Sequence, residues 1–177
     1  GLVRVLATLV PLMAIGLVVV SVRRMALYDE AFGLTMLRLW VVVAAVWMGV
    51  VLLMIAARNA GIGRGRNWLF GGTLAAALAL TLLVNVFSPE AFIVRHNVER
   101  AERGKTFDAA YLNSLSDDAV PAIVDAIEHS PSPTVRSALS ASFPCNRHRT
   151  GVAAVNRGAK MANDDRRRLC ESLSFDS

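Results

Sequence analysis

The chain has 177 residues, of which 54% are hydrophobic, and its mean hydropathy is +0.46 although it carries a formal net charge of +5. The excess positive charge lies in residues 1–88, which contain seven arginines and two acidic residues. Residues 89–177 contain twelve basic and twelve acidic residues and are electrically balanced. Because the basic half is also the apolar half, the composition excludes a basic nucleic-acid-binding domain and indicates a membrane protein.

Three long apolar runs predict transmembrane helices over about residues 5–22, 36–57 and 68–87. Each run is close to the ~20 residues that cross a hydrocarbon core of ~30 Å. None has the polar face that a helix of a soluble domain presents to water. We therefore predict an all-α chain, with a transmembrane region over residues 1–88 and a small helical extramembrane module over residues 89–177.

Two positions inside these runs need a hydrogen-bond partner from elsewhere. Pro11 has no backbone N–H, so a carbonyl group one turn earlier loses its intrahelical donor and must find another. Asn85, in the third run, is expected to hydrogen-bond across helices, with a contribution of about 1 kcal/mol.

The segment between the first two spans carries the most specific polar pattern. Read as a helix that extends the second span backwards, it places Arg24, Tyr28, Thr35 and Arg38 on one face. One interpretation is a polar cluster that binds a lipid headgroup, an ion or a partner. The other is that Arg38 has no ligand and simply extends its long side chain to the membrane surface, where interfacial Tyr and Trp side chains form an aromatic belt. Gly33 is the position at which such a helix would break.

Three segments of the chain share the pattern of one membrane family. They are Arg24-Met-x-Leu-Tyr28-x-x-x-Phe-Gly33-Leu-Thr35-x-x-Arg38-Leu, Asn85-x-Phe-Ser-Pro89-x-x-x-x-Val-Arg-x-Asn97-x-x-Arg100, and Phe-Asp108-x-x-Tyr111-Leu-x-x-Leu-Ser-x-Asp118-Ala-Val-Pro121. In this pattern the chain resembles a bacterial multi-pass membrane family, domain of unknown function 4173. The resemblance implies further helices upstream and assigns no activity and no catalytic residue. We treat Gly33, Asn85, Asn97 and Pro121 as structural positions.

The polar half is expected to be helical throughout. Ser88-Pro89 has the pattern of a helix start, Thr106 is expected to cap a short helix, and Ser116 to begin a helix that contains Pro121 and reaches His129. Two further helices are expected, over Gly151–Asn163 and Asp164–Leu173. The charged run from Asp164 to Arg168 is interpreted as a solvated surface.

Cys145 and Cys170 are the only cysteines, and three states are open to them. They could form a disulfide that stabilises a small hydrophobic core, remain as thiols, or bind a metal together with His148. Three ligands at loose spacing are a weak zinc signal, so we predict no metal and no cofactor. No histidine has a nucleophile or carboxylate at a recognisable catalytic spacing.

The topology has two opposing indications. The loop Arg58–Asn67 has three arginines and no acid, which favours a cytoplasmic loop and places the module outside. A count of all basic residues near the spans favours the opposite arrangement. We expect the extracytoplasmic position for the module, in a bacterial inner membrane, because a lone pair of cysteines is typical of exported modules. The first residue is Gly, so we also expect a longer protein.

The leading functional hypothesis is an integral membrane protein with a non-enzymatic interaction or assembly role. Its partners would be the bilayer, other transmembrane helices of the longer protein, and a protein that binds the module, with no nucleic acid among them. The alternative is part of a transporter, in which upstream helices complete a pathway that Arg38, Tyr28 and Asn85 line.

Overall fold

The computed structural model describes residues 2–61, 68–145 and 157–175. These residues form helices and no strand, as predicted. The α-helices, in chain order, are α1 (Leu2–Phe32), α2 (Met36–Asn59), α3 (Trp68–Val86), α4 (Pro89–Glu102), α5 (Ala109–Ser114), α6 (Val120–His129), α7 (Pro133–Ala141) and α8 (Arg157–Phe175). A single 3-10 turn over Asp117–Ala119 precedes α6.

Two helices are long and apolar enough to cross a membrane, over Val5–Phe32 and Met36–Asn59. The third apolar run does form a helix, but it counts as a span only if Trp68–Val84 and Pro89–Glu102 are taken together as one broken span. Two of the three predicted spans are therefore confirmed, and the count of three is not.

The break between the first two helices lies at Gly33. Residues 23–32, which lie beyond the predicted first span, therefore belong to the first helix and not to the second. Helix α1 continues ten residues past the predicted end of the first span, whereas α2 begins only at Met36. No glycine or proline interrupts residues 23–32, so the helix propagates through them. It ends at Gly33, whose φ of +81° is the left-handed conformation that terminates helices. The expectation that the second span extends backwards over this segment was wrong.

The chain divides into two compact units, and the division does not follow the sequence strictly. The first unit comprises Gly1–Ala31 and Thr35–Phe87, and the second comprises Phe32–Leu34 and Ser88–Ser177. The predicted boundary after residue 88 assigned Phe32–Leu34 to the membrane region. In the structure these three residues, the end of α1 and the first two loop residues, belong to the second unit.

The second unit has a hydrophobic core built around α6, which packs against α4, α7 and α8. Helix α6 turns Ala122, Ile123, Ala126 and Ile127 inwards, which is the spacing of one apolar helical face. The opposing helices contribute fully buried side chains that fill the space around it: Ile93, Val94, Leu112, Val135 and Leu139.

Two expected helix boundaries in this unit were wrong. Asp108, and not Thr106, caps α5, because its carboxylate accepts a hydrogen bond from the backbone N–H of Tyr111 at 2.9 Å. The predicted pair of C-terminal helices is one helix in the described part, α8, with no break at Asn163–Asp164. Neither glycine nor proline stands at that point, so nothing in the local sequence stops the helix.

Candidate functional site

The loop between α1 and α2 is held by the side chain of Asn97 on α4. The amide nitrogen of Asn97 donates to the carbonyl oxygen of Leu34 at 2.8 Å, and its amide oxygen accepts from the Leu34 N–H at 3.0 Å. The same nitrogen donates to the carbonyl oxygen of Ile93 at 2.9 Å. Asn97 is itself buried. It therefore satisfies both backbone groups of one loop residue, as a neighbouring strand would.

Gly33 lets the loop approach Asn97 this closely. A Cβ atom at position 33 would overlap the amide oxygen of Asn97 and lie 2.9 Å from Nη1 of Arg100. The φ of +81° independently disfavours any L side chain there. Arg100 is buried beside the loop. We call Gly33, Leu34, Asn97 and Arg100 the loop clasp; all four residues belong to the second unit.

The four residues of the predicted polar cluster do not share one helical face. Arg24 and Tyr28 lie one turn apart on α1 and are exposed. Thr35 is the N-cap of α2, and its hydroxyl oxygen accepts from the backbone N–H of Arg38 at 3.4 Å. Arg38 is half-buried in the first turn of α2. Because the helix breaks at Gly33, the spacing argument that placed all four together does not apply.

The remaining candidate residues are distributed as follows. Asn85 lies in α3, with its side chain outside the described part of the structure. Pro121 is the second residue of α6, a position where a missing N–H costs little. Cys145 and Cys170 form a disulfide with their Cα atoms 5.9 Å apart. His148 lies outside the described residues, as does most of the loop after Arg58. Among the residues that are described, no group of three or more His, Cys, Asp or Glu could hold a metal ion.

An ion pair inside the second unit was not anticipated. Nη2 of Arg166 lies 3.2 Å from Oδ1 of Asp117, and the two side chains are 1% and 7% exposed. The interpretation of residues 164–168 as a solvated charge run was therefore wrong for Arg166. Arg167 and Arg168 do remain exposed, and the hydrogen bond and charge of Glu171 raise the pKa of Arg167. The signal in the sequence was the spacing of Ala162, Arg166 and Leu169, which repeats every turn along one helical face.

Helix α4 also organises the segments that follow it. Oε2 of Glu90 accepts hydrogen bonds from the backbone N–H and the hydroxyl of Ser116, at 2.7 and 2.6 Å. Oε1 of Glu102 accepts from the hydroxyl of Ser130 at 2.6 Å. Ser116 caps the 3-10 turn and Ser130 follows α6. The helix that carries Asn97 is thus fixed at both ends, which holds the loop clasp in a defined geometry.

A recess of about 190 Å³ lies between α4 and α6. Two of its acidic side chains form ion pairs within their own helices: Glu99 with Arg103 at 3.0 Å, and Asp125 with His129 at 3.1 Å. Paired, solvent-exposed charges of this kind contribute little energy. The pairs offer no buried base or nucleophile, so the recess has the character of a polar surface.

The first unit has a polar contact at Pro11. Because Pro11 has no N–H, the carbonyl oxygen of Ala7 loses its helical donor. Nδ2 of Asn59, at the end of α2, donates to this oxygen at 2.7 Å. The sequence predicted the unsatisfied carbonyl group, and the structure identifies its partner. A crevice of about 420 Å³ lies alongside, lined by Thr8 and Asn59 together with apolar side chains of α1.

The comparison with protein families gives one match, to the model described as Domain of unknown function (DUF4153), over residues 1–126. The matched range contains α1 to α5, the 3-10 turn and all four residues of the loop clasp. No curated protein and no solved structure matches the chain significantly. The expectation of an uncharacterised family is confirmed at that level, whereas membership of family 4173 is not. Because the match covers well over half of its length, the chain belongs to the DUF4153 family.

Proposed function

We propose that this chain is an integral membrane protein with a non-enzymatic interaction role, in which the second unit is the docking module. The apolar helices α1 and α2 support the membrane assignment. The observation that carries the proposal is the loop clasp. Asn97 binds both backbone groups of Leu34, so the loop between two apolar helices is folded into the polar unit.

A unit held in this way suits binding better than catalysis. Its interior is filled by apolar side chains and by the Arg166–Asp117 pair, and several of its surface charges form ion pairs within one helix. A rigid surface presented next to the membrane loses little entropy when a partner binds, which favours specific association. The partner would be a protein that recognises the exposed charged face of α6 and α7.

Site-specific photo-crosslinking in cells tests this role. A photoreactive residue at Glu128 on α6 or Arg136 on α7, both exposed, should give discrete protein adducts. The same residue at Leu78, an exposed apolar position of α3, serves as the control and should give none. The Asn97→Leu variant should lose the adducts while staying in the membrane fraction. Absence of discrete adducts from both module positions would overturn the docking role.

The proposal includes a bacterial inner membrane and an extracytoplasmic second unit. The disulfide between Cys145 and Cys170 supports this side, because disulfides persist in oxidising compartments and are rare in the cytosol. In intact cells, a membrane-impermeant maleimide should label both cysteines only after an impermeant reductant is added. Labelling that requires permeabilised cells would place the unit in the cytoplasm.

A second candidate is part of a transporter pathway, and the crevice beside Asn59 favours it. Thr8 and Asn59 give this crevice a polar lining. If it belongs to an aqueous pathway, cysteines placed at these two positions should react with water-soluble thiol reagents, whereas Leu78→Cys should not. Equal protection of all three would exclude the pathway.

A further inference from the structure

The second unit exposes few large hydrophobic side chains, and their positions are not random. In its described part they are Phe32, Phe92 and Met161, which are 67%, 53% and 62% exposed. Two of the three lie where the chain passes between the two units. Phe32 is the last residue of α1 and precedes α2 by three residues, and Phe92 is the fourth residue of α4.

Chain length limits how far these two rings can lie from the apolar helices. Phe92 follows the end of α3 by six residues, the last four of them helical, so its backbone lies within about 15 Å of that end. Phe32 is separated from Met36 by a three-residue loop and lies within about 14 Å of the start of α2. The headgroup region adds only about 5–8 Å to each side of the hydrocarbon core. Both rings are therefore within reach of the headgroup zone.

The surroundings of Phe92 fit a lipid headgroup. Its ring stacks on His96, with the centroids 6.0 Å apart and the planes 23° from parallel. Arg95 lies three residues after Phe92, on the same exposed stripe of α4, and supplies a positive charge on that stripe. The opposite face of α4 is buried in the core and includes Ile93 and Val94. An aromatic ring beside a cation is the combination that proteins place at the headgroup level of anionic membranes.

We propose that Phe32 and Phe92 form an aromatic anchor that inserts into the headgroup region of the bilayer, with Arg95 on lipid phosphate. This anchor rests on the proposed membrane location and adds a specific lipid contact for the second unit. Met161, which is equally exposed but lies on α8, is not part of it.

Fluorescence quenching by lipids brominated near the headgroup tests the anchor in nanodiscs. Trp40, Trp47 and Trp68 are replaced by Phe, and a single Trp is introduced by Phe92→Trp, Phe32→Trp or, as the matched control, Met161→Trp. Brominated lipid should remove about half of the fluorescence in the first two proteins and little in the third, because contact quenching requires insertion. If the Trp at position 32 and the Trp at position 92 are quenched no more than the Met161→Trp control, the anchor is overturned.

A fourth protein separates this failure from failure of the membrane assignment. Trp40 lies near the start of α2 and is 45% exposed, so a protein that keeps Trp40 alone should be quenched if α2 lies in the bilayer. Quenching of Trp40 without quenching at position 32 or 92 would overturn the anchor alone. No quenching of Trp40 would overturn the proposed membrane location and the anchor together.

Discussion

The two units of this chain use the same apolar residue types in opposite ways. In the first unit large hydrophobic side chains point outwards: Met13 and Phe70 are 73% and 75% exposed. In the second unit the comparable Ile93 and Leu139 are 0% exposed. A soluble protein does not cover whole helices with exposed hydrophobic side chains. The exposed apolar helices of the first unit are thus compatible with contact to a lipid bilayer, whereas the second unit carries its own core.

The polar groups follow the same division. In the second unit, buried polar side chains join segments that are far apart in sequence, as Asn97 does with Leu34 and Arg166 with Asp117. In the first unit the side chain of Asn59 donates a hydrogen bond to the carbonyl oxygen of Ala7, which has no donor within its own helix because of Pro11. These contacts all join distant segments, but Asn97 and the Arg166–Asp117 pair are buried within the second unit, whereas the Asn59 contact of the first unit is exposed. The following changes test that difference, starting with the largest expected effect.

Replacing Arg166 by Ala should destabilise the second unit by about 3–5 kcal/mol, because it leaves a carboxylate buried without its guanidinium. Pulse proteolysis of the full chain in detergent micelles, across a urea series, measures the loss. Arg167→Ala is the matched control, since that guanidinium is exposed and pairs with Glu171 at the surface. It should change stability by less than about 0.5 kcal/mol. Equal effects of the two variants would mean that burial of the pair is unimportant.

Loss of the disulfide should have the next largest effect. Replacing both Cys145 and Cys170 by Ser opens a loop with a sequence separation of 25, which should cost about 3 kcal/mol. Hydrogen exchange should rise most in α8, which the bond ties to the segment after α7. Reductant should reproduce the effect in the unmodified protein and add nothing in the double variant. Faster exchange in α2 to the same degree would contradict a local effect of the disulfide on α8.

Gly33→Ala should destabilise the loop clasp by about 2–3 kcal/mol, from backbone strain together with loss of the Asn97 hydrogen bonds. Gly104→Ala is the control, because Gly104 also has a positive φ, of +78°, but a Cβ there meets nothing within 4 Å. That variant should cost only the strain, about 1 kcal/mol. Urea-dependent pulse proteolysis of the second unit compares them. Equal losses would show that contact with Asn97 adds nothing at position 33.

The sequence predicted the helical class, the two confirmed spans and the change of composition after residue 88, because each depends on local composition and periodicity. It did not predict what depends on distant contacts. Asn97 and Gly33 stand in separate segments of the pattern, 64 positions apart, and no local rule joins them. Arg166 lies in a run of charges, and only the packing of α8 against the 3-10 turn buries it. Such pairings follow from tertiary structure, which a single sequence does not reveal.

Pro11 is an intermediate case and gives the smallest expected effect. Its missing N–H was evident from the sequence, but the donor that compensates, Asn59, lies on another helix. Asn59→Leu should remove the hydrogen bond to the carbonyl oxygen of Ala7 and cost about 0.6–1.7 kcal/mol, the range measured for polar contacts between membrane helices. Denaturation of the full chain in mixed micelles measures it.

A double-mutant cycle with Pro11→Ala decides whether Asn59 acts through this carbonyl group. An alanine at position 11 supplies a backbone N–H to the oxygen of Ala7, so Asn59→Leu should then cost much less than it does beside proline. The same cost in both backgrounds would mean that Asn59 stabilises the helix pair in another way. A reduced cost would show that Asn59 acts by completing the backbone of α1, at an exposed contact whose loss costs less than the loss of the buried Arg166–Asp117 pair.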